Sequence, residues 1–376
     1  MQKIKVGITG QNGFIGGWLY NLLGTMPERF ERVEFSREYF LNPTQLEDFA
    51  GKCDCIVHLA GINRCQNMQE LHDKNISLAK SLIDAAKKAN DNLHIIFSSS
   101  TQETKDNLYG QSKAACRKMF CDWAAECEKR AFTGCIIPNV FGPFCRPNYN
   151  SVVATFCHKL THNETPEIKT DAELPLIYVG NLCKEIIKHI ENRTNNGCLA
   201  IQANAHLKVS QLLDIFEGFK SQYLQNGIFP DLSDSFSVKL FNTFRSYIEP
   251  EKFFPFALKC NSDNRGVFVE TVKQNGGCGQ FSFSTTAQNI TRGNHYHTRK
   301  IERFAVIKGR AKIELRRIGS NKTHSFVLDG KTPSFVDMPV WYTHNITNIG
   351  TEELYTLFWI NEFFDPTDPD TFFEKV

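Results

Sequence analysis

The sequence predicts two domains: an α/β domain built on a doubly wound parallel sheet, followed by an all-β domain of the barrel or jelly-roll kind. A chain of 376 residues is about 2.5 times as long as a typical domain of ~150 residues, which favours two domains over one. Short apolar runs alternate with longer helical patterns from Lys3 to Tyr247, and the helical patterns nearly disappear beyond that point. We place the first domain at 1–246, a linker at 247–257 and the second domain at 258–376.

The first domain is predicted as strand–helix units in chain order. Apolar runs predict strands at 4–9, 32–35, 55–59 and 93–98, and helical spacing predicts helices at 14–23, 71–89 and 109–129. Strands joined through helices run parallel in one sheet, so their carboxyl ends meet at one edge, where α/β proteins bind ligands. We therefore expect the site in the residues that follow each strand.

The pattern changes at 247–256, which holds two prolines and four aromatic residues without a clean period. Beyond it, the segment 311–316 alternates apolar and polar residues, as a strand with one buried face does. Short strands of this kind are separated by glycines at 293, 309, 319, 330 and 350. This predicts an antiparallel β domain.

The composition excludes several classes of protein. Hydrophobic residues at 41% and charged residues at 22% are typical of a globular chain and exclude a disordered or fibrous one. A net charge of +2 gives no reason to expect nucleic acid or an anionic membrane as partner. We find neither an apolar window of ~18 residues nor a signal-peptide pattern. Together with thirteen irregularly spaced cysteines, these features predict a cytoplasmic protein that binds a small molecule.

A glycine-rich turn joins the first predicted strand to the first predicted helix. A dinucleotide site needs glycines here: for the tight turn, for the approach of the pyrophosphate and for packing of helix on strand. This context predicts a Rossmann-like fold. The residues expected at the cofactor are Thr9, Gly10, Asn12, Gly13, Phe14, Ile15 and Gly16.

The end of the second predicted strand indicates which dinucleotide is bound. Arg37 follows this strand, and a guanidinium suits the 2′-phosphate of NADP(H), whereas NAD enzymes carry an acid near this position. We predict NADP(H). Glu34 and Glu38 flank Arg37 and leave NAD as the alternative.

Tyr109 and Lys113 are four residues apart and therefore lie on one helix face. The ammonium can then lower the pKa of the phenol and hold a cofactor ribose. Such a pair occurs often by chance, and Tyr296 and Lys300 have the same spacing. Context separates the two pairs, because Tyr109 follows the serine run 98–100 at the carboxyl end of the fourth predicted strand.

These motifs resemble the extended short-chain dehydrogenase/reductase family. The resemblance includes the glycine turn, the serine run, the Tyr-x-x-x-Lys pair and the segments 58–61 and 139–143, and it spans about residues 1 to 246. It implies that Tyr109 is the general acid of carbonyl reduction and that Lys113 orients the nicotinamide ribose. It also implies that Ser100, or else Ser99, binds the carbonyl oxygen. It adds Leu59, Ala60 and Gly61 to the cofactor site.

The second domain carries a metal-binding pattern. His295 and His297 are two residues apart and project from one strand face, and Glu302 arrives on the following strand. His344 completes the set from a later segment. Three imidazoles and one carboxylate suit zinc, iron, manganese or nickel, with room for an oxygen ligand.

The same pattern resembles the two motifs of the cupin superfamily, over about residues 258 to 376. The resemblance implies a jelly-roll barrel with the metal inside it. Trp341 stands where a turn glycine is common in that superfamily. The alternative is a metal-free cupin with an interaction role.

The order of the domains resembles the CapF type of bifunctional capsular and O-antigen polysaccharide enzyme, over nearly the whole chain. That likeness implies a homodimer with a zinc-binding cupin domain that epimerises C3 of UDP-2-acetamido-2,6-dideoxy-4-hexulose. The reductase domain would then reduce C4 with NADPH to give UDP-2-acetamido-2,6-dideoxy-L-talose. Because the UDP-activated 4-keto-6-deoxy amino sugar is anionic, Asn139, Arg146 and Asn148 are candidate contacts to it.

Two other functions remain open from the sequence. One is a monofunctional NADP-dependent 4-ketoreductase whose cupin domain binds metal only for stability or dimerisation. The other is a metal cupin dioxygenase fused to a regulatory dinucleotide sensor.

Overall fold

The computed structural model describes residues 2–264 and 266–376, which form two compact units. The first unit comprises residues 2–141, Cys145–Val152 and Ala172–Lys208, and the second comprises the rest of the described chain. This division differs from the predicted boundary at 247–257, because the segment 209–246 packs in the second unit. For example, the Tyr223 hydroxyl donates to Asp337 Oδ2 at 2.6 Å, and the Phe229 ring stacks on Trp359.

Nine α-helices lie in the described residues. In chain order they are α1 (Phe14–Gly24), α2 (Pro43–Gly51), α3 (Met68–Ala89), α4 (Leu108–Ala125), α5 (Val152–Thr161), α6 (Val179–Glu191), α7 (Val209–Phe219), α8 (Ser235–Arg245) and α9 (Pro250–Phe253). Short 3₁₀ turns at Arg37–Leu41 and Thr101–Thr104 follow two of the strands.

The strands of the first unit are β1 (Ile4–Thr9), β2 (Phe30–Val33), β3 (Cys55–His58), β4 (His94–Ser100), β5 (Ala131–Ile137), β6 (Asn139–Phe141), β7 (Glu173–Tyr178), β8 (Asn196–Ala200) and β9 (Ala205–Lys208). Six of them form a parallel sheet in the order β2-β1-β3-β4-β5-β8. The order reverses direction beside β1, which opens a crevice at the carboxyl edge of the sheet. The predicted Rossmann-like parallel sheet is confirmed.

The strands of the second unit are β10 (Phe229–Asp231), β11 (Phe256–Ala257), β12 (Cys260–Asp263), β13 (Gly266–Val269), β14 (Gln274–Gly276), β15 (Gln280–Thr286), β16 (Thr291–Tyr296), β17 (Glu302–Lys308), β18 (Arg310–Arg317), β19 (Thr323–Asp329), β20 (Ser334–Met338), β21 (Tyr342–Asn348), β22 (Leu354–Ile360) and β23 (Phe372–Phe373). Ten of them form two antiparallel five-stranded sheets, in the orders β11-β20-β17-β22-β15 and β19-β18-β21-β16-β23.

One hydrophobic core is shared by these two sheets. Ile313 and Leu315 come from β18 of one sheet, and Val306 and Phe335 come from β17 and β20 of the other; all four are fully buried. Residues that alternate along each strand thus meet between the sheets, as in a sandwich. The predicted β-rich second domain is confirmed.

No helix in the described part of the chain is long and apolar enough to span a lipid bilayer.

Candidate active sites

The glycine turn between β1 and α1 leaves no room for a side chain at two positions. Gly10 has a φ of +79°, and a Cβ there would lie 2.9 Å from the Ala60 nitrogen. A Cβ on Gly16 would lie 2.2 Å from the carbonyl oxygen of Gly10. The Gly13 N–H closes the turn by donating to that same oxygen at 2.9 Å. The turn therefore requires glycine for its own geometry and exposes its backbone to a ligand.

The first turn of α1 is suited to an anion. Its N-cap is Gly13, and among the described residues no side chain caps the helix and no acid lies in its first turn. The first N–H groups, at Phe14 and Ile15, carry the positive end of the helix dipole. The exposed Asn12 side chain borders the same turn. This cradle fits the pyrophosphate of a dinucleotide.

The loop after β3 is fixed to β1 by a buried hydrogen-bond network. Thr9 Oγ1 lies 2.7 Å from His58 Nδ1, and it accepts from the Ala60 N–H at 3.3 Å. The Leu59 N–H donates to the Thr9 carbonyl at 3.1 Å. Burial lowers the pKa of His58 to about 3, so its ring is neutral and acts as a fixed hydrogen-bonding partner.

Arg37 begins the 3₁₀ turn after β2, and its side chain is exposed. The neighbouring Glu38 accepts a hydrogen bond from the Ser36 hydroxyl, which lowers the pKa of this carboxyl group. The Gln11 amide spans the crevice between the two strand ends by donating to the Phe35 carbonyl at 3.0 Å. A cation therefore lies at the strand end where a 2′-phosphate would bind.

Ser100, Tyr109 and Lys113 lie together at the carboxyl edge of the sheet. The Asn107 side chain caps α4 by accepting from the Gly110 N–H at 2.8 Å, which places Tyr109 in the first turn. Burial raises the pKa of Tyr109 to about 12, against a hydrogen bond to the Ser100 side chain that lowers it. The Lys113 Nζ lies 5.8 Å from the centre of the Tyr109 ring.

Lys113 is buried, with only 5% of the residue exposed. Its Nζ donates to the Ser98 carbonyl at 2.9 Å and lies 4.9 Å from the centre of the Phe97 ring. Burial lowers the pKa of Lys113 to about 8. A Cβ on Gly61 would lie 3.7 Å from this Nζ, so the loop after β3 reaches from the glycine turn to Lys113.

The two candidate serines have different partners. Ser99 is buried and its hydroxyl donates to Glu103, which forms an ion pair with Arg117 at 2.9 Å. Successive side chains of a strand point to opposite faces, so Ser99 and Ser100 cannot both face Tyr109. The structure places Ser100 at the phenol and Ser99 in a supporting ion-pair network.

Asn75 on α3 was not identified from the sequence. Its Oδ1 accepts from the Ile62 N–H at 2.8 Å, and its Nδ2 donates to the Ile62 carbonyl at 3.1 Å and to Ser112 Oγ at 3.2 Å. The side chain thus ties the loop after Gly61 to α4. A lone polar residue in an amphipathic helix gives no sequence signal of this role.

The three candidate substrate contacts are placed differently. The Arg146 guanidinium lies 5.2 Å from the centre of the Tyr149 ring, and the proximity of the Tyr149 phenol contributes slightly to the raised pKa of Tyr109. Asn148, with a φ of +55°, is exposed between them in the chain. Asn139 on β6 instead donates to the Pro175 carbonyl at 3.2 Å. The segment 146–149 is therefore the part of this set associated with Tyr109.

The second unit brings together His295, His297, Glu302 and His344. One potential ligand atom from each lies within 4.8 Å of all the others. Glu302 Oε2 is 3.1 Å from Nε2 of both His297 and His344. These three buried atoms make no hydrogen bond within the described chain. Converging lone pairs without donors are the arrangement that a divalent cation satisfies, so the residues fit a metal.

Backbone carbonyl groups fix the orientation of two of the histidine rings. His297 Nδ1 donates to the Asp370 carbonyl at 2.6 Å, and His344 Nδ1 donates to the Tyr342 carbonyl at 3.3 Å. A ring that donates through Nδ1 can present the lone pair of its Nε2 to a metal ion. The contribution of Asp370 was not identified from the sequence, because it lies about 70 residues along the chain from the histidine it orients.

The neighbouring histidines of this cluster favour the ionised form of the Glu302 carboxyl group. Burial alone would raise its pKa, but the neighbouring His297 and His344 outweigh burial and hold the pKa well below the usual range. Burial, together with the other two histidines, lowers the pKa of His295 to about 4. A neutral imidazole and an ionised carboxylate are the forms that bind metal.

Trp341 adopts a φ of +62°, the left-handed region in which bulky residues are rare. The backbone N–H of Trp341 donates to the His297 carbonyl at 2.7 Å. Tryptophan is thus accommodated at a left-handed position of the turn that leads to His344, and His344 lies at the cluster.

Two family profiles match the chain. Residues 6–199 match the NAD dependent epimerase/dehydratase family, and residues 261–372 match the polysaccharide biosynthesis C-terminal domain. The first of these covers more than half of the chain and includes the glycine turn and Tyr109.

Individual proteins are similar over the full length. UDP-2-acetamido-2,6-beta-L-arabino-hexul-4-ose reductase of Pseudomonas aeruginosa is 33% identical over 375 residues, which cover 98% of either chain. The crystal structure of the capsular polysaccharide assembling protein CapF from Staphylococcus aureus is 34% identical, with a TM-score of 0.63, and the alignment covers 99% of this chain and 100% of that one. RMD from Pseudomonas aeruginosa, at 16% identity and a TM-score of 0.53, shares the fold over 58% of this chain and 84% of its own.

The chain therefore belongs to the NAD dependent epimerase/dehydratase family and, within it, to the CapF type, in which that domain is followed by a β-rich second domain.

Proposed function

We propose that this chain is a bifunctional enzyme of sugar-nucleotide biosynthesis. Its first domain reduces the C4 ketone of a UDP-activated 4-keto-6-deoxy amino sugar with NADPH, and its second domain epimerises C3 of the same ketone. The proposed substrate is UDP-2-acetamido-2,6-dideoxy-4-hexulose and the proposed product is UDP-2-acetamido-2,6-dideoxy-L-talose, a precursor in capsule or O-antigen synthesis.

The observation that carries the reductase half is the grouping of Ser100, Tyr109 and Lys113 beside the loop that reaches the glycine turn. The reductase name of the full-length relative supports the same activity. NADPH bound at the turn would supply the hydride. The Tyr109 phenol holds the proton that the C4 oxygen needs, and Ser100 can donate a hydrogen bond to that oxygen. Lys113 stabilises the phenolate that remains and orients the ribose.

The epimerase half rests on the four convergent ligands His295, His297, Glu302 and His344. We propose that the second domain is a cupin jelly roll and that the cation is zinc, which the three-nitrogen, one-oxygen donor set accepts. A divalent cation there supplies a Lewis acid that makes the C–H bond beside a ketone more acidic. We further propose that the enzyme is a homodimer.

The test is solvent deuterium exchange on a UDP-4-keto-6-deoxy-N-acetylhexosamine, followed by mass spectrometry with and without NADPH. The proposal predicts exchange beside the ketone without the cofactor, and a mass gain of two hydrogens when NADPH is added. Tyr109→Phe should abolish the second event and leave the first, whereas the double variant His295→Ala/His297→Ala should abolish the first. NADPH oxidation without any exchange would show that the chain is a monofunctional reductase with a structural second domain.

The choice of NADP(H) has its own test. Because Arg37 is the cation at the end of β2, Arg37→Ala should raise the KM for NADPH about 10-fold or more and leave the KM for NADH unchanged. An equal change in both KM values would assign Arg37 no role at the 2′-phosphate.

A further inference from the structure

A cavity of about 370 Å³ lies in the second unit. It is formed by the end of α5, the segment before and within α9, and the neighbouring ends of β18, β19 and β21. Its charged and ring-bearing lining includes His158, His162, Glu249, Glu251, Arg317 and Lys322. None of these residues belongs to the four-ligand cluster.

Both carboxylates of the lining are already neutralised. Glu251 Oε1 accepts from Lys322 Nζ at 2.9 Å and from His324 Nδ1 at 2.6 Å. Glu249 Oε1 lies 3.1 Å from His162 Nε2 and accepts from Lys252 Nζ at 2.9 Å. The acids therefore do not repel an anion from the cavity.

Among the described cations of the cavity lining, Arg317 is the one that no carboxylate pairs with. Its guanidinium lies 3.7 Å from the centre of the Phe144 ring, and in the described chain no carboxylate forms an ion pair with it. Tyr342, its direct cross-strand neighbour, lines the same cavity. A planar guanidinium stacked on a ring keeps its N–H fork available for the paired oxygens of a phosphate.

Two histidine rings of the lining add ring nitrogens that can form hydrogen bonds to a ligand. His158 and His162 stack with their ring centres 4.0 Å apart, and His162 Nδ1 lies 2.8 Å from the His158 carbonyl. His158 Nδ1 is buried and has no hydrogen-bond partner among the described residues. Such an atom marks a place where a ligand or water completes the network.

The cavity and the metal-ligand cluster lie on the same face of one sheet. His324, Leu315, His344 and His295 are directly paired in one row across β19, β18, β21 and β16. Directly paired residues point to the same side of a sheet. Two strand spacings of 4.7–4.9 Å place the His324 backbone about 10 Å from that of His344. A ligand held in the cavity can therefore extend toward the cluster.

We propose that this cavity binds the nucleoside diphosphate part of the substrate of the second domain, with Arg317 as the main diphosphate contact. The inference rests on the proposed function, because it assigns the sugar of the bound nucleotide to the metal-ligand cluster. The cavity volume exceeds that of a simple phosphate, and the neutralised acids together with one surplus guanidinium favour a polyanion over a cation.

The experiment is calorimetric titration of the full-length protein with UDP, without any turnover. The wild type should bind two UDP molecules per chain, one in each unit. Arg317→Gln should weaken one of the two sites about 10- to 100-fold and leave the other unchanged. Arg317→Lys keeps the charge but loses the fork, so it should give an intermediate loss even where the glutamine variant folds poorly. Arg310→Gln is the matched control, since Arg310 lies at the opposite end of β18 and is exposed.

Each contrary outcome has a distinct meaning. One UDP per chain, unaffected by Arg317→Gln, overturns the inference while the reductase assay can still succeed. Inorganic phosphate that displaces UDP from the second site with equal affinity overturns the nucleotide assignment. A chain that binds no UDP at all contradicts the proposed function itself.

Discussion

His297 and Asp370 are joined by a 2.6 Å hydrogen bond from the ring Nδ1 to the backbone carbonyl, although 73 positions separate them. The Asp370 carboxylate in turn accepts the N–H groups of Thr298, Arg299 and Lys300, at 2.9 to 3.2 Å. The segment before β23 thus fixes both the ring and the loop that follows it. This makes Asp370 a positioning residue for the four proposed metal ligands.

We predict that Asp370→Asn weakens binding of the proposed zinc ion about 10- to 100-fold, because an amide can accept only some of these hydrogen bonds and the Asp370 carbonyl that orients His297 will shift. Chelator competition measures the affinity directly. Asp368→Asn is the control, since Asp368 lies in the same segment and its carboxylate pairs with Arg299 at the surface. Equal zinc affinity in wild type and Asp370→Asn would show that the rings keep their orientation without this carboxylate.

The buried charge of Lys113 should lower the free energy of unfolding of the protein. Burial lowers its pKa from 10.5 to about 8, so the folded state binds its proton less tightly than the unfolded state does. The penalty is complete below pH 8, shrinks as the pH rises and is absent above about pH 10.5, where the amine is neutral in both states. At pH 7 it corresponds to about 3 kcal/mol.

Lys113→Met should therefore raise the free energy of unfolding at pH 7 by up to about 3 kcal/mol and abolish reduction. Urea unfolding at pH 7 and pH 10.5 tests the first statement, and the gain should disappear at the higher pH. Lys118→Met, at an exposed position of the same helix, should change stability by less than about 1 kcal/mol. A less stable Lys113→Met variant at pH 7 would mean that the bond to Ser98 outweighs the burial of the charge.

The sequence predicts most of the first unit and both residue sets, because the signals are local. The strand at 4–9 has the observed bounds, and the helix predicted at 71–89 begins three residues earlier, at Met68, where Asn67 caps it. The helix Pro43–Gly51 was missed, since a nine-residue element gives a short pattern. The helix predicted at 109–129 ends at Ala125.

Long-range relationships explain the remaining differences. The segment 209–246 has the helical pattern of the first domain, yet its aromatic residues pack in the second unit, as Phe229 does on Trp359. The sequence pattern within 209–246 does not indicate whether the segment packs in the first or the second unit. Asp370 was missed for the same reason, because it orients a ring 73 positions away in the sequence.

Ser100 and Ser99 are adjacent, and replacing each by alanine should give different results. Ser100→Ala should lower kcat for ketone reduction about 100-fold, because it removes the donor beside Tyr109. Ser99→Ala should leave kcat within about 2-fold and instead cost about 1 kcal/mol of stability, because Ser99 donates to Glu103. Steady-state kinetics and thermal melting of both variants measure these effects. A larger loss of kcat in Ser99→Ala would assign the carbonyl oxygen to Ser99.

Gly16 and Gly17 provide a similar pair of neighbouring substitutions. A Cβ at Gly16 would lie 2.2 Å from the Gly10 carbonyl oxygen, whereas at Gly17 it would lie 3.5 Å from the Gln11 carbonyl oxygen, an ordinary contact. Gly16→Ala must push α1 away from the turn, so we expect a loss of about 2–3 kcal/mol in stability and a raised KM for NADPH. Gly17→Ala lies inside the helix and should stabilise the protein by about 0.5–1 kcal/mol without changing KM. Denaturant unfolding and NADPH titration test both variants, and an unchanged KM in Gly16→Ala would show that the cofactor does not depend on the contact between α1 and the glycine turn.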